Sequence, residues 1–174
     1  MPTIGEYRNR FNRNYIWVVP NGEGPGTWRL TADDTGDTPG PGPETNYIQA
    51  NVDSGTPRIE AGMLVYINDV GNAALASAAS ITTGRPVGVA VNTAVANALI
   101  NITTNEVIQL TNVSEVVEGA PASLETGRYY WLSTESGKFT RTPDTTTAGA
   151  VLVQVGLATD ASEMQIEIQN PLVI

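Results

Sequence analysis

Ile59-Glu60-Ala61-Gly62-Met63-Leu64-Val65-Tyr66-Ile67 returns 65 residues later as Leu124-Glu125-Thr126-Gly127-Arg128-Tyr129-Tyr130-Trp131-Leu132. Each copy runs from an apolar residue through an acid, a small residue and a glycine into an aromatic and β-branched run. The glycine suits a turn that aims the chain into a strand. Each run ends in a second glycine-bearing turn, Asp69-Val70-Gly71-Asn72 and Glu135-Ser136-Gly137-Lys138, of the kind that closes a hairpin. A threonine-containing loop follows. Each copy then reaches a strand with a central glycine, Pro86-Val87-Gly88-Val89-Ala90 and Gln154-Val155-Gly156-Leu157-Ala158. An interior strand glycine marks a bulge or a close approach of another backbone. Alternating segments close the copies, Leu99-Ile100-Asn101-Ile102 and Gln165-Ile166-Glu167-Ile168. The offset drifts from 65 to 68 and back to 66, as expected where length changes fall in loops.

The duplication sets the fold class. Short β-rich runs recur between turn signals: Met63–Asn68, Pro86–Asn92, Leu99–Thr103, Glu106–Leu110, Arg128–Ser133, Val151–Ala158 and Met164–Gln169. This pattern predicts an all-β body over residues 46–174, a compact β-sandwich or barrel of two repeated units at about 59–102 and 124–168. Two hairpin units packed as one β core account for the repeat, and a ligand site between them is the alternative. Ala73–Ser80 is the one helix-friendly stretch, and it reads equally as a small-residue strand and loop.

Ahead of the body lie two segments of different character. Residues 1–19 carry Arg8, Arg10 and Arg13 against Glu6, a net of +2 beside −11 for the rest of the chain. The segment ends in Tyr15-Ile16-Trp17-Val18-Val19, a strand or docking run. It is expected to be an extended N-terminal arm, either a solvated arm with an edge strand or an arm that binds an acidic partner. Residues 20–45 read as a Gly/Pro-rich linker, with Trp28-Arg29-Leu30 as an anchor inside it. Asp33, Asp34 and Asp37 lack the ligand spacing of a calcium loop and read as a solvated acidic turn.

Composition narrows the chemistry. The chain of 174 residues has no cysteine and no histidine. That removes disulfides, thiolate metal sites, cysteine nucleophiles and every histidine-based triad. Acids outnumber bases 18 to 9, which argues against nucleic-acid binding through a basic face. No apolar run approaches the roughly 18 residues of a membrane-crossing helix. Met1–Glu6 lacks the charged start and apolar stretch of a secretory signal. Neither a P-loop nor a nucleophile elbow is present. Glu106, Glu163 and Glu167 belong on the solvent face of half-buried strands, and the single Lys138 falls in a turn. No catalytic residue, cofactor or metal is expected. Strand alternation puts Tyr129 and Trp131 on one face and Tyr130 on the other, giving a core or interface surface, or a stacking platform for sugars.

The paired pattern over about residues 55–170 resembles the modules of tailed-bacteriophage virion proteins. It is most similar to capsid cement (head decoration) proteins, and related repeats occur in phage tail fibres. The resemblance implies a β domain made in the host cytoplasm and placed on the capsid exterior of the virion. There it would brace neighbouring subunits of the major capsid protein, often as a trimer, with no catalysis and no cofactor. On that expectation Arg8, Arg10, Arg13, Tyr15 and Trp17 contact the shell or a neighbouring copy, since arginine pairs well with surface carboxylates. A tail-fibre or baseplate-associated module, or a carbohydrate-binding one, is the alternative.

Overall fold

The structure, a computed structural model, describes residues 7–10, 13–18, 27–30 and 47–174. Two compact modules divide the chain, Met1–Glu44 and Thr45–Ile174.

In the N-terminal module, β1 (Tyr7–Arg10), β2 (Arg13–Val18) and β3 (Thr27–Leu30) form an antiparallel sheet in the order β1-β2-β3. The described residues of the expected arm thus pair with one another, and with Thr27–Leu30 from the expected linker. The reason lies in sequence: Tyr15–Val18 is aromatic and β-branched, and Thr27-Trp28-Arg29-Leu30 is the one run in the linker able to pair with it.

The body begins with β4 (Ile48–Asn51), β5 (Arg58–Ile59), β6 (Leu64–Ile67), β7 (Ala73–Leu75), β8 (Gly88–Ala90), β9 (Ala94–Val95) and β10 (Leu99–Thr103). It continues with β11 (Val107–Gln109), α1 (Val113–Val116), β12 (Tyr129–Leu132), β13 (Phe139–Thr140), β14 (Val151–Leu152), β15 (Gln154–Ala158), β16 (Glu163–Ile166) and β17 (Leu172–Val173). Two five-stranded sheets result, β4-β10-β8-β6-β7 and β11-β16-β15-β12-β13. Replacing each strand of the first by its repeat partner yields the order of the second. The strands of these sheets pair antiparallel with one another, and the body is all-β as the turn spacing predicts.

Hydrogen bonds confirm the equivalence residue by residue. Glu60 accepts from the amide of Met63 at 3.1 Å, and Glu125 from that of Arg128 at 3.1 Å. The third residues of these turns, Gly62 and Gly127, have φ of +90° and +79°. That is the type II turn, which needs glycine at its third position. Val65 stands opposite Gly88, and Tyr130 opposite Gly156. The hairpin turns carry Gly71 and Gly137 at φ of +85° and +78°.

The unit begins earlier than the sequence pattern suggests. Val52 bridges in parallel to Ala73, and Val117 to Phe139. The next residue in each copy is an acid held by the start of the hairpin turn: Asn68 Nδ2 donates to Asp53 Oδ2 at 2.8 Å, and Ser133 Oγ to Glu118 Oε2 at 2.9 Å. The closing strand needs a correction. Thr103 pairs with Val89 and Gln165 with Leu157, so Thr103, not Leu99, is the partner of Gln165. The match drawn from sequence is four residues out of register. An even shift keeps every apolar residue on its face, so alternation alone does not exclude it. The Ala73–Ser80 stretch gives a strand over Ala73–Leu75 and no helix. The α-helix among the described residues is the single turn Val113–Val116, in the connection between β11 and β12.

Two cores fill the body. Val52, Ile59, Val65, Ala73, Ala90 and Ile102 line one. Their partners Val117, Leu124, Tyr130, Phe139, Ala158 and Met164 belong to the other. Tyr130 and Phe139 supply in the second unit the volume that Val65 and Ala73 do not fill in the first. The second core also takes in the outer face of the first unit, Leu64 and Val89, so the units join through one side of the first and not through a shared centre.

Candidate functional site

The N-terminal ladder brings together the residues singled out as partner-binding. Arg8 lies opposite Tyr15, and Arg10 opposite Arg13. Tyr15 lies opposite Leu30, and Trp17 opposite Trp28. Facing positions share a side of the sheet and alternate along each strand. Arg8, Arg10, Arg13, Tyr15 and Trp17 therefore all occupy positions of one parity, joined by Trp28 and Leu30. Tyr7, Asn9, Asn14, Ile16 and Arg29 take the other. Parity depends on register, which sequence does not reveal across a turn. Val19, Asp33, Asp34 and Asp37 lie outside the described residues.

In the body, Tyr130 is buried while Tyr129 is 52% exposed and Trp131 half-buried, which separates the aromatic run into a core face and an open face as alternation predicts. Leu157 lies across the ladder from Tyr129 on that open face. The buried Met164 and Ile166 alternate with Glu163, Gln165 and Glu167 on the less buried side. Lys138 pairs with Glu135 in the hairpin turn at 2.6 Å.

A charge cluster in the second unit centres on Glu125. Its carboxylate accepts from Arg128 Nε at 3.0 Å and meets Arg141. The Arg128 hydrogen bond, with Arg141 behind it, holds Glu125 below its usual range against a smaller opposing effect of desolvation. Asp144 is also held well below the usual range, by hydrogen bonds from Thr147 and Thr146. Both are surface carboxylates kept ionised by donors, the opposite of a general acid. Among the described residues no three of Asp, Glu, His or Cys gather closely enough to hold a metal ion.

A shallow cleft lies between the units, lined among others by Tyr47, Gly62, Val91, Thr103, Glu106 and Asn112. Thr103 is buried there, and its Oγ1 has no hydrogen-bond partner among the described residues. Nothing in the sequence marks this threonine among the chain's many others.

The chain matches no protein-family model, and no curated protein is detectably similar to it.

Proposed function

We propose that this chain is a contact protein of a tailed-phage virion, of the capsid cement kind. It binds the outer surface of a shell of major capsid protein through its N-terminal module and braces neighbouring subunits. The observation that carries this reading is the ladder that sets Arg8, Arg10, Arg13, Tyr15 and Trp17 at positions of one parity. Arg10 directly faces Arg13, and like charges in facing positions repel. An acidic partner surface relieves that repulsion, and guanidinium groups bind carboxylates in a bidentate manner. The neighbouring tyrosine and tryptophan positions match the aromatic and arginine bias of interface hot spots. Repetition over a lattice adds avidity, so single contacts need not be strong.

The test is attachment to purified capsids. The wild-type chain is expected to decorate them. A chain lacking residues 1–19, and the full chain carrying Arg8→Glu, Arg10→Glu and Arg13→Glu, are expected to leave them bare while the body keeps its melting transition. Full occupancy by both variants would overturn the proposal.

The open Tyr129–Trp131 face favours a second reading, a tail-fibre or baseplate-associated module that stacks sugar rings. Binding on a glycan array that Tyr129→Ala abolishes would select it.

A further inference from the structure

The two units are joined head to tail, and each joining surface has an unused twin. On the first unit, the turn entering β6 is covered by the second unit. A Cβ on Gly62 would lie 3.0 Å from Leu110 Cδ2 and 3.3 Å from Val116 Cγ1. Asn112 Nδ2 donates to the carbonyl of Ala61 at 3.0 Å. The Leu64 amide donates to the carbonyl of Gly137 at 2.9 Å, so the second unit's hairpin turn docks on the start of the first unit's strand. Leu64 is 0% exposed as a result.

The repeat partners of these groups are bare. Gly127, the partner of Gly62, has nothing within 4 Å of where a Cβ would stand. Tyr129, the partner of Leu64, is 52% exposed. The docking turn is duplicated too. Gly71, the partner of the buried Gly137, is exposed and has no neighbour within 4 Å of a Cβ position. Beside it Val70 stands 77% exposed at the turn tip.

We infer that a second copy of this chain fills the vacancy. Its Asp69–Asn72 turn docks on the Gly127–Tyr129 strand entry of the first copy and reproduces between chains the contact already made within one. The occupant is read from the duplication itself: the hairpin turn that docks on Leu64 within the chain has a free copy in Asp69–Asn72. The chemistry is adjusted for two soluble partners. A Cβ at Gly137 would touch Met63 and Leu75, whose repeat partners are Arg128 and Arg141. These arginines hold Glu125 between them and leave the cluster one net positive charge, and the turn that would meet it carries Asp69, so the apolar contact within the chain becomes a charge-complementary one between chains. The contact is heterologous, with different surfaces on its two sides, and it therefore builds a ring or an open chain of copies, not a two-fold dimer. It does not involve the N-terminal strands, so it stands or falls separately from capsid attachment.

Sedimentation of the full chain over a concentration series tests it. The wild type is expected to associate reversibly. Val70→Arg disables the turn and Tyr129→Arg disables the strand entry; each is expected to weaken association by at least about tenfold. Both positions are solvent-exposed, and unchanged melting verifies that the variants are folded. An equal mixture of the two variants retains one intact turn and one intact strand entry. It is expected to form a 1:1 pair that grows no further. A wild-type chain that stays monomeric up to about 1 mM, association indifferent to both substitutions, or a mixture that stays monomeric would each overturn the inference.

Discussion

A Cβ placed on Gly156 would stand 2.5 Å from the carbonyl oxygen of Gln165, on the neighbouring strand β16. Gly88 makes the same approach to the carbonyl of Thr103 in the first unit. The glycines in the repeated Val-Gly strands are thus explained by space and not by backbone angle. At this position each sheet admits no side chain, because another backbone occupies the place where it would begin.

Gly88→Ala and Gly156→Ala are therefore expected to destabilise the body by about 2–3 kcal/mol each, the upper end of overpacking effects, because the obstacle is a carbonyl and not a movable side chain. Gly127→Ala meets no atom and suffers only from its left-handed backbone, so about 1 kcal/mol is expected. Urea denaturation of the three variants gives the ranking. Equal losses at Gly127 and Gly156 would contradict the packing account.

Tyr130 ties the second core to its entry turn. Its ring is fully buried, and its hydroxyl accepts from the Glu125 amide at 3.0 Å. Tyr130→Phe keeps the ring but strands that amide, with an expected loss of about 1–2 kcal/mol. Tyr130→Ala also empties the core and should cost about 3–5 kcal/mol. Val65, the repeat partner, has no such hydroxyl, so Val65→Ala should follow its lost methyl groups alone. Melting of these three variants separates the polar tie from the packing.

What was legible in the sequence was what sterics force. Gly62 and Gly127 are required by their turns, and Gly88 and Gly156 by the backbone beside them, so the repeat survives divergence at those positions. The bridge from Val52 to Ala73 and from Val117 to Phe139 was hidden because only one valine and an exchanged acid mark it. The closing strands misled because a four-residue slip preserves alternation. The helix Val113–Val116 is one turn long and has no period to read. At the candidate surfaces, residue type pointed to Arg8, Arg10, Arg13, Tyr15 and Trp17, but their shared parity exists only once Arg10 is known to face Arg13. The bareness of Gly127 beside the covered Gly62 was illegible for a deeper reason: the two glycines have the same local sequence role, and only the neighbour differs.

Asp144 offers a pH test. Its Oδ1 accepts from the Thr146 amide at 2.8 Å, the Thr146 hydroxyl at 2.9 Å and the Thr147 amide at 3.1 Å. These donors favour the carboxylate, so its value in the fold lies well below the ordinary 3.8. A depressed carboxyl stabilises the folded state fully above its unfolded value, and that contribution fades as pH falls below 3.8 toward the folded value. Carboxyl NMR should find Asp144 still ionised at about pH 3, where an ordinary aspartate is mostly protonated. A midpoint near 3.8 would show that the threonine donors do not hold it in solution.

Thr103 carries the one buried side-chain polar atom left without a partner among the described residues. It is 1% exposed and stands across the ladder from Val89, on the face where the units meet. A buried hydroxyl with no partner opposes folding, because it leaves water without replacing the hydrogen bonds it made there. Valine has nearly the same shape and no hydroxyl. Thr103→Val is therefore expected to stabilise the body by about 1 kcal/mol, read as a melting temperature a few degrees higher. A fall in melting temperature would instead show that the hydroxyl makes a hydrogen bond in solution whose loss outweighs its desolvation, and the packing account of Thr103 would fail.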